Sequence, residues 1–178
     1  DLSEGIENKL LFSLKTAESF DKLYAVNFNC PGQTVVSGLK DGMVDFEEKV
    51  KSLGGKCVPL AVSGAFHSPF MAEASEKFEE ALSKYSITKP EISVYSNLTA
   101  KPYDEEIIST LKSQMCSPVK WQETIENMIS DGFTDFIEVG PGKTLSGLIK
   151  KISKEVNVYS VENSETLFET VKAVKNNA

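Results

Sequence analysis

The loop Ser63-Gly64-Ala65-Phe66-His67-Ser68-Pro69 holds the only histidine of the 178 residues, His67. Histidine exchanges its proton near neutral pH, which makes His67 the natural candidate for general acid–base chemistry. An apolar run precedes the loop at 57–62, and Phe70, Ala74, Phe78, Leu82 and Tyr85 follow it at helical spacing. The histidine therefore stands after a strand and before a helix, where open α/β sheets present their ligands. A lone histidine is also commonly a hydrogen-bonded loop residue with no chemistry, and only its context separates the two readings.

Three other clusters offer chemistry. Gly140-Pro141-Gly142-Lys143 follows the apolar run Phe136-Ile137-Glu138-Val139, a strand leading through a glycine-rich turn into a helix. Backbone N–H groups at such a turn can hold an anion. The spacing matches neither a P-loop nor GxGxxG, so a tight structural connection is the simpler reading. Asn27 and Asn29 flank Phe28 at alternating positions, which would set two amides on one face of a strand, to orient a substrate or to brace a loop. Trp121, Ile125 and Met128 share helical spacing and read as core, and Asp104-Glu105-Glu106 reads as the acidic first turn of a helix.

Composition removes several function classes. The chain carries a formal net charge of -7 with no arginine, so it repels nucleic acid and anionic membrane surfaces. Cys30, Cys57 and Cys116 are odd in number and show no CxxC spacing, which argues against a disulfide framework and a zinc site and for a reducing cytoplasm. One histidine leaves no histidine cluster for a metal, and no apolar run reaches the ~20 residues that span a bilayer.

The elements that must position His67 follow from periodicity. Ile6, Leu10, Leu11, Leu14 and Ala17 predict an opening helix over 1–20. Runs at 23–28 and 33–38 around Pro31-Gly32 predict a β-hairpin, and Met43, Phe46, Val50 and Leu53 a helix stopped by Gly54-Gly55. With a strand at 57–62, residues 1–62 read α, β, β, α, β, a ferredoxin-like lobe whose first strand is missing. From 63 to 178 single strands at 92–96, 134–139 and 156–161 alternate with helices near 104–115, 121–131, 143–152 and 164–175, an α/β pattern. Ser68 and Pro69 fit the N-cap and first position of the helix after the histidine.

Taken in order, Asn27-Phe28-Asn29-Cys30-Pro31-Gly32-Gln33, Gly64-Ala65-Phe66-His67-Ser68-Pro69, Ser117-Pro118-Val119-Lys120-Trp121 and Glu138-Val139-Gly140-Pro141-Gly142-Lys143 resemble the successive motifs of malonyl-CoA:acyl-carrier-protein transacylases. The resemblance implies the C-terminal part of an α/β-hydrolase-like acyltransferase domain, 63–178, with the incomplete ferredoxin-like small subdomain, 1–62. It implies a role in fatty-acid biosynthesis: malonyl transfer from malonyl-CoA to the phosphopantetheine thiol of acyl carrier protein, through a serine ester and with no bound cofactor or metal. In that scheme His67 is the catalytic base and the backbone carbonyl of Gln114 orients it. Phe66 limits space at the acyl α-carbon, Asn29 lies near the serine, and Lys56 faces the CoA or carrier-protein side. The family's GxSxG serine, and the arginine that holds malonate's carboxylate, have no counterpart in these residues. The expectation is a partial chain, inactive alone, whose partners include the missing N-terminal part of the same enzyme. The competing expectations are another acyl specificity or a hydrolase on the same scaffold, and a non-catalytic carrier-protein-binding domain.

Overall fold

The computed structural model describes residues 17–62 and 64–177. They form two compact units divided between Thr124 and Ile125. The predicted opening helix lies outside the described residues except for its end, where Ala17 and Glu18 are helical.

In the first unit, β1 (Leu23–Cys30) and β2 (Gln33–Gly38) pair antiparallel, and Gly32 at φ 79° takes the left-handed position of their turn. The ladder slips between Ala25 and Asn27 and again between Phe28 and Cys30, so β1 carries two irregularities. Helix α1 (Lys40–Ser52) follows, as its apolar spacing predicts. Gly54 N–H bonds Lys51 O and Gly55 N–H bonds Val50 O, a Schellman ending that needs the left-handed backbone of Gly54 at φ 80°. Ala17, Leu23 and Phe46 form a buried cluster, joined by Phe20, Val36, Met43, Val50 and Cys57. The Phe20 and Phe46 rings meet edge to face at 5.8 Å. Burying a side chain of this size contributes about 1.5–3 kcal/mol, so this cluster fastens α1 onto the hairpin.

Two predicted strands do not form ladders. Residues 57–62 run without helix or strand, with Val58 67% and Val62 61% exposed. Residues 92–96 contribute only an isolated bridge, Tyr95 to Pro102. Both runs have strand composition, but a strand exists only where a neighbour completes its hydrogen bonds, and among the described residues none does.

After His67 the chain enters a 3-10 turn, Pro69–Met71, and then α2 (Ala72–Leu82). The predicted helix was longer at its end; the structure stops it at Leu82, and Tyr85 is exposed. Helix α3 (Ile107–Gln114) packs on α2, and Lys112 spans them to Glu76 at 3.0 Å and Glu79 at 2.6 Å. Helix α4 (Trp121–Ser130) spans the division between the units.

In the second unit, β3 (Asp135–Val139) and β4 (Asn157–Val161) pair in parallel, and α5 (Thr144–Ile152) connects them. A parallel pair requires such a crossover, because its strands start from the same end. Helix α6 (Ser164–Asn177) returns against β4. No helix among the described residues is long and apolar enough to cross a membrane.

Candidate active site

His67 adopts φ 61°, a left-handed backbone that a non-glycine residue takes at a cost of about 1–2 kcal/mol. Ser68 holds the turn. Its hydroxyl, fully buried, donates to the carbonyl of Ala65 at 2.6 Å and accepts the N–H of Phe70 at 3.3 Å. The hydroxyl thus ties the residues before the histidine to those after it, and Pro69 fixes the first helical φ. The Phe70 ring meets the Tyr24 ring of β1 at 6.0 Å, which anchors the turn to the hairpin.

The imidazole reaches Gln114. Nδ1 of His67 lies 2.9 Å from the backbone carbonyl oxygen of Gln114, the last residue of α3. A carbonyl only accepts, so Nδ1 carries the proton and donates it. In the neutral ring this leaves Nε2 with a free lone pair, the arrangement a general base requires. The carbonyl is free for this role because the last four of any helix lack intrahelical partners.

Beyond α3 the chain is stitched to β1. Phe28 N–H donates to Val119 O at 2.9 Å, and Val119 N–H donates to Val26 O at 2.8 Å. Ser117-Pro118-Val119 therefore lies beside β1 at a parallel bridge with Asn27. Simple alternation, from which Asn27 and Asn29 were expected to share a face, is interrupted at this point of β1. The ladder passes from Phe28 to Cys30 with a slip at Asn29, and alternation across a slip no longer fixes the face. Phe66, directly before the histidine, is 50% exposed, with its ring against Gly64. Lys56 is exposed just past the Schellman ending of α1. Of the predicted site residues, the structure joins His67 and Gln114 by a direct bond and keeps Phe66 adjacent; Asn29 and Lys56 sit on β1 and beyond α1.

The glycine-rich turn after β3 is a structural connection. The Glu138 carboxylate accepts the N–H of Leu145 at 3.0 Å and of Ser146 at 2.7 Å, and Glu162 accepts the N–H of Gly142 at 3.1 Å. Carboxylates of the chain itself thus occupy the start of α5. Hydrogen bonds from Ser146, then from Leu145, outweigh desolvation and hold the Glu138 carboxyl below the usual carboxylate range.

Sequence reasoning passed over two residues near the histidine. Ser96 and Tyr103 both donate their hydroxyls to the side-chain Oε1 of Gln114, Ser96 at 2.8 Å. The one available signal was Ser96-Asn97-Leu98-Thr99-Ala100, whose polar residues mark a turn at the end of the apolar run.

Comparison with known proteins extends the resemblance to nearly the whole chain. The acyl transferase domain family matches residues 5–172. The malonyl CoA-acyl carrier protein transacylase of Bacillus subtilis (strain 168) is 39% identical over 170 residues, covering 92% of this chain and 54% of that protein. The crystal structure of the malonyl CoA-acyl carrier protein transacylase from Clostridium perfringens matches with a TM-score of 0.88 at 37% identity, covering 95% of this chain and 54% of that one. A type II PKS acyl-carrier protein in complex with its malonyl-transacylase gives a TM-score of 0.85 at 29% identity, over 94% of this chain and 55% of that one. The chain spans about half the length of the relatives it matches. With the match running from the hairpin through the histidine turn to the final helix, the chain belongs to the acyl transferase domain family.

Proposed function

We propose that this chain supplies the general-base half of a malonyl-CoA:acyl-carrier-protein transacylase working by a ping-pong Ser/His mechanism. The observation that carries the reading is the bond from His67 Nδ1 to the Gln114 carbonyl, which keeps the proton on Nδ1 and leaves the Nε2 lone pair able to take one. In the first half-reaction Nε2 takes the proton of a serine hydroxyl as its oxygen attacks the malonyl thioester carbon. The tetrahedral intermediate collapses by breaking the carbon–sulfur bond, and the imidazolium returns its proton to the departing CoA thiol. In the second half-reaction the thiol of a phosphopantetheinylated carrier protein attacks the serine ester, again through His67, and restores the serine. The chemistry needs no cofactor or metal.

The serine, and an arginine for the malonyl carboxylate, come in this reading from polypeptide outside these residues. The share of each relative covered supports that, as do the apolar runs at 57–62 and 92–96. Val58, Leu60, Val62 and Ile92 are exposed there, on segments whose strand composition calls for neighbours. The remaining polypeptide would complete the sheet of a hydrolase-like core, 63–178, and add the first strand of a ferredoxin-like subdomain, 1–62. Phe66 stands against the acyl α-carbon, Asn29 near the serine, and Lys56 toward CoA or an acyl carrier protein, the kind of partner seen with a related malonyl-transacylase.

The test is transfer of labelled malonyl from CoA to holo carrier protein by the full-length polypeptide carrying this sequence. His67→Ala should lower kcat by roughly 10²–10⁴-fold, the weight of general acid–base catalysis. The 178-residue chain alone should show no turnover. Activity that survives in His67→Ala, turnover by this chain alone, or equal use of acetyl-CoA would overturn the respective part of the reading.

A further inference from the structure

The residue that steers the histidine is itself held in place by its side chain. Gln114 ends α3, and helix ends are the part of a helix that frays most readily. A base must be held to within about 0.5 Å of its working position, so a carbonyl at a loose helix end needs a fixing contact. The Gln114 amide oxygen has two acceptor positions, and the hydroxyls of Ser96 and Tyr103 fill both.

Those hydroxyls come from opposite limbs of one tight turn. Ser96 N–H donates to Lys101 O at 2.9 Å, Ala100 N–H to Ser96 O at 2.9 Å, and Tyr103 N–H to Val94 O at 2.9 Å. Ala100, fully buried, takes φ 56° to close the turn, again at the cost of a left-handed non-glycine backbone. Ser96 is 1% exposed, and its oxygen also accepts the N–H of Leu98 at 3.1 Å, which turns its own proton toward Gln114. The turn is in turn fastened to the segment after α3, since Lys120 N–H donates to Asn97 O at 2.9 Å.

We propose that Ser96 and Tyr103 are positioning residues for His67, acting through the side-chain amide of Gln114 on the carbonyl that holds Nδ1. This rests on the reading of His67 as general base. The amide takes no proton in the reaction. Its role is to stop the end of α3 from rotating the carbonyl away, which would release the imidazole and let its proton shift to Nε2, where it blocks catalysis.

The test uses Tyr103→Phe, Gln114→Met and the double variant in the full-length polypeptide, with Ser96→Ala and Ser96→Thr as a pair. Each hydroxyl removal should lower kcat about five- to tenfold, the worth of one net hydrogen bond, and Gln114→Met, which deletes both bonds, by at least as much, with KM for malonyl-CoA within about twofold. The double variant should lose no more than Gln114→Met, because both act through one atom. Ser96→Thr, which keeps the hydroxyl, should recover most of what Ser96→Ala loses. The 15N resonances of neutral His67, assigned by difference from His67→Gln, should move from the Nδ1-protonated pattern toward a mixture of tautomers. An unchanged tautomer, additive losses in the double variant, or a lowered melting temperature with kcat per folded molecule intact would overturn the proposal. If the full-length polypeptide moves no malonyl group, the functional reading falls, and the tautomer pattern still decides this one.

Discussion

Replacing Ser68 by alanine removes one oxygen atom from the turn that presents the histidine, and the structure sets the size of the effect. That oxygen donates to Ala65 O at 2.6 Å and accepts from Phe70 N at 3.3 Å, in a side chain with 0% exposure. A net hydrogen bond contributes about 1 kcal/mol, and loss of an N-cap acceptor typically costs about the same. The cap bond is at the long end of the range, which reduces its share. The Ser68 side chain is fully buried, and the void left by its oxygen pushes the cost back up. Ser68→Ala should therefore destabilise the first unit by about 2 kcal/mol, roughly 30-fold in its folding equilibrium. Trp121 is the only tryptophan and lies in that unit, so urea unfolding followed by its fluorescence reads the change directly. With a slope of about 2 kcal/mol per molar, the midpoint should fall by about 1 M. The same variant should lower transfer by the full-length polypeptide, since the left-handed backbone of His67 loses the contact that closes over it. A midpoint shift below about 0.25 M, corresponding to about 0.5 kcal/mol, would show that Ser68 does not hold the turn.

If Phe66 limits the space at the acyl α-carbon, as proposed, Phe66→Ala in the full-length polypeptide should narrow a preference for malonyl-CoA over methylmalonyl-CoA by about 10–200-fold, read as the ratio of kcat/KM values; an unchanged ratio would remove Phe66 from that role. The Glu138 carboxyl is held below its ordinary range, so its contribution to stability is complete above the unfolded-state value near ~4.3 and is lost as pH falls through the lower folded-state value. Amide exchange at Leu145 and Ser146, corrected for the intrinsic pH dependence, should lose protection on that descent, and Glu138→Gln should flatten the profile. Gly54→Ala places a side chain at φ 80° and should cost about 1–2 kcal/mol without affecting transfer, measured as a lower melting temperature with kcat intact.

Much of this site was legible in the residues. The strand expected before His67 does not form, but Ser68-Pro69 announced the start of the following helical turn because a hydroxyl cap and a fixed φ are local devices. The glycine pair after α1 and the Pro-Gly turn of the hairpin were equally local, and the structure places both as the sequence predicts. The order of four motifs pointed to the acyl transferase family, which the match over 5–172 establishes.

What the residues did not determine were the features that depend on partners distant in sequence. The runs at 57–62 and 92–96 have strand composition, yet pairing is a property of two segments, and composition describes one. The slips in β1 belong to its register with β2, so alternation along β1 alone does not fix the faces of Asn27 and Asn29. Helix α2 ends at Leu82 although the apolar spacing continues to Tyr85, because periodicity marks a face and not an end. The Ser96, Tyr103 and Gln114 contacts join a turn to a helix terminus, and nothing in their spacing along the chain announces that they meet. The sequence by itself determined the local turn around His67, since it depends on residues within a few positions of one another. The motif resemblance named the Gln114 carbonyl, but only the tertiary structure brought it to the imidazole and decided what holds it there, because a hydrogen bond between residues 47 positions apart exists only once the chain has folded.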